Sequence, residues 1–373
     1  MMAALFNNPT LMIILTGMLV GVSGALLGTF LILRRNAMLV DAISHSIVFG
    51  IVVVWLITWA TSGPVQILGA ALAGLLTVFL TELLASTRRV RMDAAIGLVF
   101  PALFAAGVLL LNIYARDVHL DTHTVLLGEI GFVWLDTIVI GGIEVPRSVV
   151  WMGLVTLVNA AFVIAFFKEL KVSTFDPGLA TALGLAPTAI FYALLSLTSA
   201  TAVAAFDAVG AVLYIAFVIV PPAAAYLLTD RLIPMLLIAA AIGIVSSISG
   251  YAAAIALDVS IGGMMALMTG ACFGLAFLFG PRYGLAAQVW RQYTRRYADE
   301  SRALVVHLYE HEGSPNAGRE NIVPALQQHL DWDAARAEQV LRRSLRRGLV
   351  LREGSTLHLT RRGREAAREL LEY

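Results

Sequence analysis

Long apolar stretches dominate the first 280 residues and limit the folds open to this chain. Eight or nine segments each approach the roughly 20 residues that a helix needs to cross a bilayer core. They are 11–33, 38–60, 65–84, 94–113, 149–167, 187–205, 209–228, 233–257 and 262–280. Alternating barrel strands are absent, and lipid leaves no backbone group unpaired, so these segments are predicted to be transmembrane helices.

Composition divides the chain into two parts. Hydrophobic residues make up 59% of the chain and charged residues only 14%, an excess of apolar surface that has to face lipid. The basic residues concentrate in the last part, however, from Arg291 onward. We therefore predict an all-α polytopic transmembrane domain over residues 1–290 and a small α+β cytoplasmic domain over 291–373. The only cysteine, Cys272, excludes a disulfide or a thiolate metal site within one chain.

Positive charge predicts the orientation of the helices. If the segments alternate in direction, nine basic residues fall on one side and only Arg116 and Arg147 on the other. The nine are Arg34, Arg35, Arg88, Arg89, Arg91, Lys168, Lys171, Arg231 and Arg282. Loops rich in Lys and Arg stay in the cytoplasm. The chain is therefore predicted to lie in a bacterial inner membrane, with its N-terminus on the outer side and the charged domain in the cytoplasm.

An acid and a histidine stand at the start of the second segment. Asp41 and His45 are four residues apart, which places both side chains on one face of a helix. Ionisable residues in membrane segments often mark a transport pathway, and carboxylate with imidazole suits divalent manganese, iron or zinc. The alternative is a carboxylate near a helix N-terminus beside a packed histidine. A helix that begins near Met38 would place the pair near its cytoplasmic end.

A second set of candidate ligands lies in the external loop. His119, Asp121 and His123 alternate, so an extended chain would point all three the same way. They could form an outer metal site, or simply a solvated loop. No glycine-rich phosphate loop of the nucleotide-binding type occurs in the chain, so ATP, if used, must bind another subunit.

Two further patterns concern packing and the cytoplasmic face. Gly17, Gly21, Gly24 and Gly28 let another helix approach the first segment closely, and bundle packing is favoured over a subunit-pairing face. In the loop after the fifth segment, Asp176-Pro177 predicts the start of a short helix and Gly184 its end. Such a helix could bind an ATPase subunit or could be a plain connector.

Several motifs resemble the manganese/zinc/iron-type ABC permease family. They are LLGTFLILRR (26–35), DAISH (41–45), MDAAIGLVF (92–100), LLGEI (126–130), FDPGLATALG (175–184), AVGAVL (208–213) and PPAAA (221–225). The resemblance covers residues 10–280. It implies a non-enzymatic permease without catalytic residues or permanently bound cofactor, which imports divalent manganese, iron or zinc. Manganese is the first choice, mainly because the C-terminal part, described below, resembles a repressor domain of manganese and iron systems.

The resemblance also implies partners and site residues. Members work as a permease pair, a homodimer or a heterodimer, with two ATP-binding subunits and an extracytoplasmic metal-binding protein. The family's transit ligands correspond to Asp41 and His45, while His119, Asp121 and His123 match the family only loosely. The segment that contacts the ATPase corresponds to Phe175, Asp176, Pro177, Gly178 and Gly184. A channel or secondary transporter without an ATPase is the alternative within transport.

The C-terminal part has its own pattern. Helices are predicted over 299–311, 321–330 and 332–347, two strands over 348–360, and a last helix over 361–373. This order resembles the winged helix of iron-dependent repressors. For this domain, a regulatory or assembly role is favoured over DNA binding, because acidic residues share the arginine-rich third helix. The alternative function for the whole chain is a membrane-anchored, metal-responsive transcription regulator. His307, His311, His329 and His358 show no spacing typical of a closed metal site.

Overall fold

The computed structural model describes residues 8–59, 64–114, 130–140, 142–281, 283–315 and 317–371. The chain forms two compact units, Met1–Gly284 and Leu285–Tyr373. The helices of the first unit, in chain order, are α1 Pro9–Leu33, α2 Ala37–Thr58, α3 Pro64–Ser86, α4 Met92–Tyr114, α5 Arg147–Ala165, α6 Phe167–Phe175, α7 Pro177–Ala182, α8 Pro187–Leu228, α9 Leu232–Leu257 and α10 Ile261–Phe279. Within the described residues, seven helices are long and apolar enough to cross a membrane. The first unit is therefore a helical, polytopic membrane domain.

Helix α1 is central to this bundle and packs against α5, α8 and α9. Its glycines make these contacts: Gly21 lies against the backbone of Gly243 in α9, and Gly28 against the backbone of Val218 in α8. Side chains as large as Phe30 are fully buried around them. The glycine stripe thus serves packing within the chain, as the sequence predicted.

The longest helix, α8, is two helices joined at Gly210. This glycine has φ 80° and ψ 167°, which breaks the helical path. The Tyr214 hydroxyl donates a hydrogen bond to the Thr198 carbonyl at 3.0 Å, although the residues are sixteen positions apart. In a straight helix they would be roughly 24 Å apart, so the two halves lie side by side and antiparallel. The sequence predicted the two segments, with the break a few residues earlier.

A buried polar cluster joins three of these helices. Asn159 of α5 donates hydrogen bonds to the Ser23 hydroxyl of α1 at 2.7 Å and to the Thr201 hydroxyl of α8 at 2.8 Å. All three residues are fully buried. Polar side chains in membrane bundles hydrogen-bond between helices in this way.

A β-hairpin corrects the expectation that the membrane domain is entirely helical. Strand β1, Thr137–Ile140, pairs antiparallel with β2, Ile143–Pro146, next to the 3₁₀ turn Ile130–Phe132. Gly142 in the connection has φ +83°, which suits a tight hairpin turn. β-Branched residues on both sides of two glycines are the local signal for this hairpin.

The second unit has its own core. Its elements are α11 Leu285–Glu310, α12 Ala317–Glu320, α13 Val323–His329, α14 Ala334–Arg346, β3 Val350–Glu353, β4 Thr356–Leu359 and α15 Arg361–Leu371. Leu304, Leu326, Leu341 and Leu357 are fully buried in one cluster. The first helix begins well before the predicted residue 299, and the short helix α12 was not predicted. The other elements lie within three residues of their predicted limits.

Two interactions fix the elements of this unit. The β3–β4 hairpin pairs Val350 with Leu359. A single antiparallel β-bridge also pairs Ile322 with Thr356 of β4. Arg336 at the start of α14 donates to the Glu300 carboxylate of α11 at 2.9 and 2.5 Å. Glu300 is only 8% exposed, so this ion pair lies at the edge of the core.

Candidate functional site

Asp41 and His45 face the same side of α2, as their spacing predicted. Asp41 Oδ1 lies 3.4 Å from His45 Nε2, and the side chains are 35% and 34% exposed. Because α2 begins at Ala37, Asp41 is about one turn from the helix start. The pair is therefore neither sealed in the core nor fully open, and it lies near the Arg34–Arg35 end of the bundle.

Aromatic rings of α4 line one side of His45. The imidazole stacks on Phe100 with ring centroids 5.7 Å apart and meets the edge of Phe104 at 6.1 Å. These rings restrict the orientation of the imidazole. Neither phenylalanine was predicted from the sequence to lie at this site. Their four-residue spacing next to Pro101 puts them on one helix face, which was the available signal.

The pair has the geometry of two ligands of one ion. Ligand atoms about 2.1 Å from a metal lie roughly 3 to 3.4 Å apart, close to the separation observed here. Two protein ligands leave most of a divalent ion's coordination to water or other groups, which favours rapid exchange over tight retention. The arrangement therefore suits an ion in transit.

The other membrane-domain acids singled out in the sequence have different surroundings. Asp93 at the start of α4 is exposed and 3.9 Å from Arg91. Glu82 of α3 accepts a short hydrogen bond from the Tyr192 hydroxyl of α8. Asp207 is exposed near the bend of α8. Among the described residues, none of the three forms a hydrogen bond or an ion pair with Asp41 or His45. His119, Asp121 and His123 lie outside the described part of the chain.

The segment between α6 and α8 forms the short helix that the sequence predicted. The Asp176 carboxylate caps α7 by accepting from the Leu179 N–H at 2.9 Å. Gly184 follows the helix with φ +77°, and the Leu185 N–H donates to the Ala180 carbonyl at 2.9 Å, which closes the C-terminal end. Both ends of α7 are thus fixed by local hydrogen bonds.

This segment presents apolar side chains to its surroundings. Phe175, Leu179 and Leu183 are 60%, 49% and 61% exposed and recur every four residues. Exposed apolar side chains at this spacing form a surface that another protein can cover. Pro177 and Gly178 are also exposed at the start of α7.

Arg34, at the C-terminal end of α1, contacts both α6 and α8. It donates to the Ser173 hydroxyl at 2.7 Å and the Thr174 hydroxyl at 3.2 Å, and its guanidinium lies 5.0 Å from the ring centre of Phe191. From its sequence position, Arg34 was interpreted only as a positive charge that sets the orientation of the helices in the membrane. No local pattern indicates its contact with a segment about 140 residues away.

Three of the four C-terminal histidines meet in space. The ring centres of His307 and His311 are 4.6 Å apart, and that of His329 lies within 6.3 Å of both. Burial lowers the pKa of the His307 imidazole, which favours its neutral form. His358 instead lies 4.0 Å from Glu353 on the hairpin.

Comparisons with known proteins agree with this architecture. Residues 8–280 match the ABC 3 transport family. The zinc transport system membrane protein TroD of Treponema pallidum (strain Nichols) is 45% identical over 363 residues, 97% of this chain and 99% of that protein. The manganese transport system membrane protein MntD of Bacillus subtilis (strain 168) is 49% identical over 280 residues, 75% of this chain and 95% of that protein.

A solved structure shows the same fold. It is described as PsaBC from Streptococcus pneumoniae in complex with Fab, and the TM-score is 0.62 at 25% sequence identity, over 73% of this chain and 92% of that one. The similarity to TroD extends through the C-terminal unit, whereas the match to MntD has the length of the membrane domain alone. With the family matched over most of its length, this chain belongs to the ABC 3 transport family.

Proposed function

We propose that this chain is the permease subunit of an ATP-driven importer of a divalent transition metal. The observation that carries the proposal is the Asp41–His45 pair, with ligand atoms 3.4 Å apart, partly exposed, and lined by Phe100. Relatives are named as zinc, manganese and iron transport proteins, which supports the substrate class. An ion from outside would bind the pair briefly and leave toward the cytoplasm.

We further propose nine membrane crossings with the N-terminus outside. The two halves of α8 are each about as long as a crossing, and α3 adds another to the seven apolar helices. Arg34 at the end of α1 contacts Ser173 after α5, and Asp230 after α8 accepts from the Tyr283 hydroxyl after α10 at 3.1 Å. Each contact joins two loops that the sequence assigns to the same side of the membrane, which supports the proposed alternation of the helices.

The same proposal includes three kinds of partner, as in the permease family that the sequence resembles. An ATP-binding subunit would dock on Phe175, Asp176, Pro177, Gly178 and Gly184, with Arg34 transmitting its movement to α1. A second permease chain would complete the path beside α2 and α4, and an extracytoplasmic metal-binding protein would deliver the ion. His119, Asp121 and His123 would contact the ion at the outer face.

We propose that the C-terminal unit is a cytoplasmic winged-helix domain. Helices α11, α13 and α14 precede the β3–β4 hairpin, and the isolated Ile322–Thr356 bridge lies at the position where the third strand of such a domain would pair, which supports the proposal. The domain would begin near residue 291 and act on transport or assembly. Deletion of residues 295–373 tests this role. Retained uptake with altered regulation supports it, whereas a gel shift by the full chain would favour the transcription-regulator alternative.

Radioactive-ion uptake in proteoliposomes with the reconstituted ATPase tests the transit site. Asp41→Asn and His45→Gln preserve side-chain size and should each lower uptake at least tenfold while the complex stays assembled. Asp93→Asn is the matched control, because it removes an exposed carboxylate at the same end of another helix. Uptake at the wild-type rate by both site variants would refute the proposed site.

Competition identifies the ion. With manganese as the labelled substrate, excess unlabelled manganese, iron and zinc are added in turn. Manganese is the first choice because a carboxylate suits it and a single imidazole does not impose zinc. Stronger inhibition by zinc than by manganese, together with direct zinc uptake, would reassign the substrate. Uptake that persists without any ATP-binding subunit would favour a secondary transporter instead.

A further inference from the structure

A second set of metal-binding side chains lies in the C-terminal unit, apart from the transport site. His311, Glu320 and His329 each offer one ligand atom, and these atoms lie within 4.8 Å of one another. They come from three places in the chain: the turn after α11, the end of α12 and the end of α13. We propose that these three residues form a binding site for a divalent first-row transition metal.

The distances suit a common ion. Ligand atoms on a tetrahedral ion lie about 3.4 Å apart when metal–ligand bonds are about 2.1 Å. His329 Nδ1 and Glu320 Oε2 are 3.2 Å apart and already have this separation. His311 completes the set after a side-chain movement of at most about 1.4 Å, because the three ligand atoms all lie within 4.8 Å of one another.

A hydrogen bond prepares His311 as a ligand. Its Nδ1 lies 2.9 Å from the His307 carbonyl oxygen, which can only accept, so Nδ1 carries the proton. Nε2 then keeps its lone pair for a metal. Metal-binding histidines commonly donate their other ring N–H to a backbone carbonyl in this way, which fixes the tautomer.

His307 supports the site from behind. Its Nε2 lies 3.4 Å from the Glu320 carbonyl oxygen, so the segment that carries Glu320 is held against α11. His307 is 7% exposed, whereas the three proposed ligands reach solvent. His307 is therefore a positioning residue and the other three are the ligands.

The contact between Glu320 and His329 is compatible with both an empty and an occupied site. The tautomer of His329 with the proton on Nδ1 can donate to the carboxylate, 3.2 Å away. The tautomer with the proton on Nε2 leaves the Nδ1 lone pair free to bind an ion beside Oε2.

Two imidazoles and one carboxylate determine the class of ion. This set binds zinc and its neighbours more tightly than manganese, following the general order of divalent affinities. Three ligands at a partly exposed site leave at least one position for water, so the ion should exchange. An ion bound here would cross-link α11, α12 and α13. The inference does not depend on the transport proposal, because neither Asp41 nor His45 takes part.

Cobalt titration of the full-length, untagged chain in detergent tests the site. The parent is Asp41→Asn/His45→Gln, which lacks the proposed transit ligands. After removal of metal by a chelator, the parent should bind one more Co²⁺ per chain than the same protein with Glu320→Gln or His329→Gln. His358→Gln is the matched control, a histidine of the same unit outside the cluster, and should bind as the parent does.

A stability measurement supplies the second readout. Zn²⁺ should raise the unfolding temperature of the parent and of its His358→Gln form but not of its Glu320→Gln form, and excess Mn²⁺ should give a smaller rise. Equal Co²⁺ stoichiometry in the parent and in both ligand variants would overturn the inference. An equal loss in the His358→Gln protein would overturn it too. Both results are independent of uptake, so failure of the transport proposal would be recognised separately.

Discussion

Gly28→Ala should disrupt the packing of α1 against α8. An alanine Cβ at this position would lie 1.9 Å from the Val218 carbonyl oxygen, whereas ordinary van der Waals contact begins near 3.4 Å. The obstacle is backbone, so a side-chain rotation cannot relieve the clash, and the helices must separate by about 1.5 Å. A radial gap of 0.5–1 Å already forfeits a quarter to a half of each contact's attraction.

The cost follows from this displacement. Leu27, Leu31 and Val218 are fully buried near the contact, and van der Waals packing is the main force between helices in lipid. Overpacking a core typically costs about 1–3 kcal/mol, and a backbone obstacle places Gly28→Ala at about 3 kcal/mol or more. We expect a lower yield of monodisperse protein and a loss of several degrees in unfolding temperature, measured by heating followed by size-exclusion chromatography.

Gly153→Ala is the matched control for this experiment. Gly153 is also inside a membrane helix, but nothing lies within 4 Å of a Cβ built there. Alanine at this position should be neutral or stabilise the helix by about 0.5–1 kcal/mol. If Gly28→Ala melts within a degree of both the wild type and Gly153→Ala, the close approach of α1 and α8 is wrong.

Three further changes test other parts of the structure. Asn159→Leu removes two buried interhelical hydrogen bonds and should destabilise the membrane domain by about 1 kcal/mol in the same thermal assay. Asn112→Leu, at an exposed position, is the control and should change the unfolding temperature little. Arg336→Ala removes both hydrogen bonds to the buried Glu300 and should cost the C-terminal unit about 2 kcal/mol, seen as faster proteolysis of that unit alone. Gly184→Ala forces a side chain to φ +77°, at about 1–2 kcal/mol, and should weaken co-purification of the ATP-binding subunit; unchanged co-purification would argue against docking at this segment.

Much of the architecture could be predicted from local sequence. Apolar length alone predicts the membrane helices, because a bilayer requires about 20 such residues in each crossing. The capped helix α7 was likewise predictable, since Asp176 and Gly184 act through hydrogen bonds and dihedral angles within a few residues. The pairing of Asp41 with His45 was also predictable from local sequence, because a helix brings residues i and i+4 together.

Contacts between distant segments were beyond such reasoning. The Arg34 contact with Ser173 joins positions separated by 139 residues, and the ring stack of His45 on Phe100 depends on how α2 and α4 pack. The cluster of His311, Glu320 and His329 has no recognisable spacing and appears only when three elements fold together.

By itself, the sequence determined a helical membrane domain, a charged C-terminal part, the capped helix α7 and one acid–histidine pair, because each depends on composition or on neighbours within one helical turn. The tertiary structure alone decided which helices the glycines of α1 meet, where α8 reverses, what surrounds His45, and that three C-terminal side chains converge. The physical reason is the distance along the chain over which each interaction acts. The apolar length of a segment and the hydrogen bonds within it depend on nearby residues, whereas the packing of whole helices decides which distant side chains become neighbours.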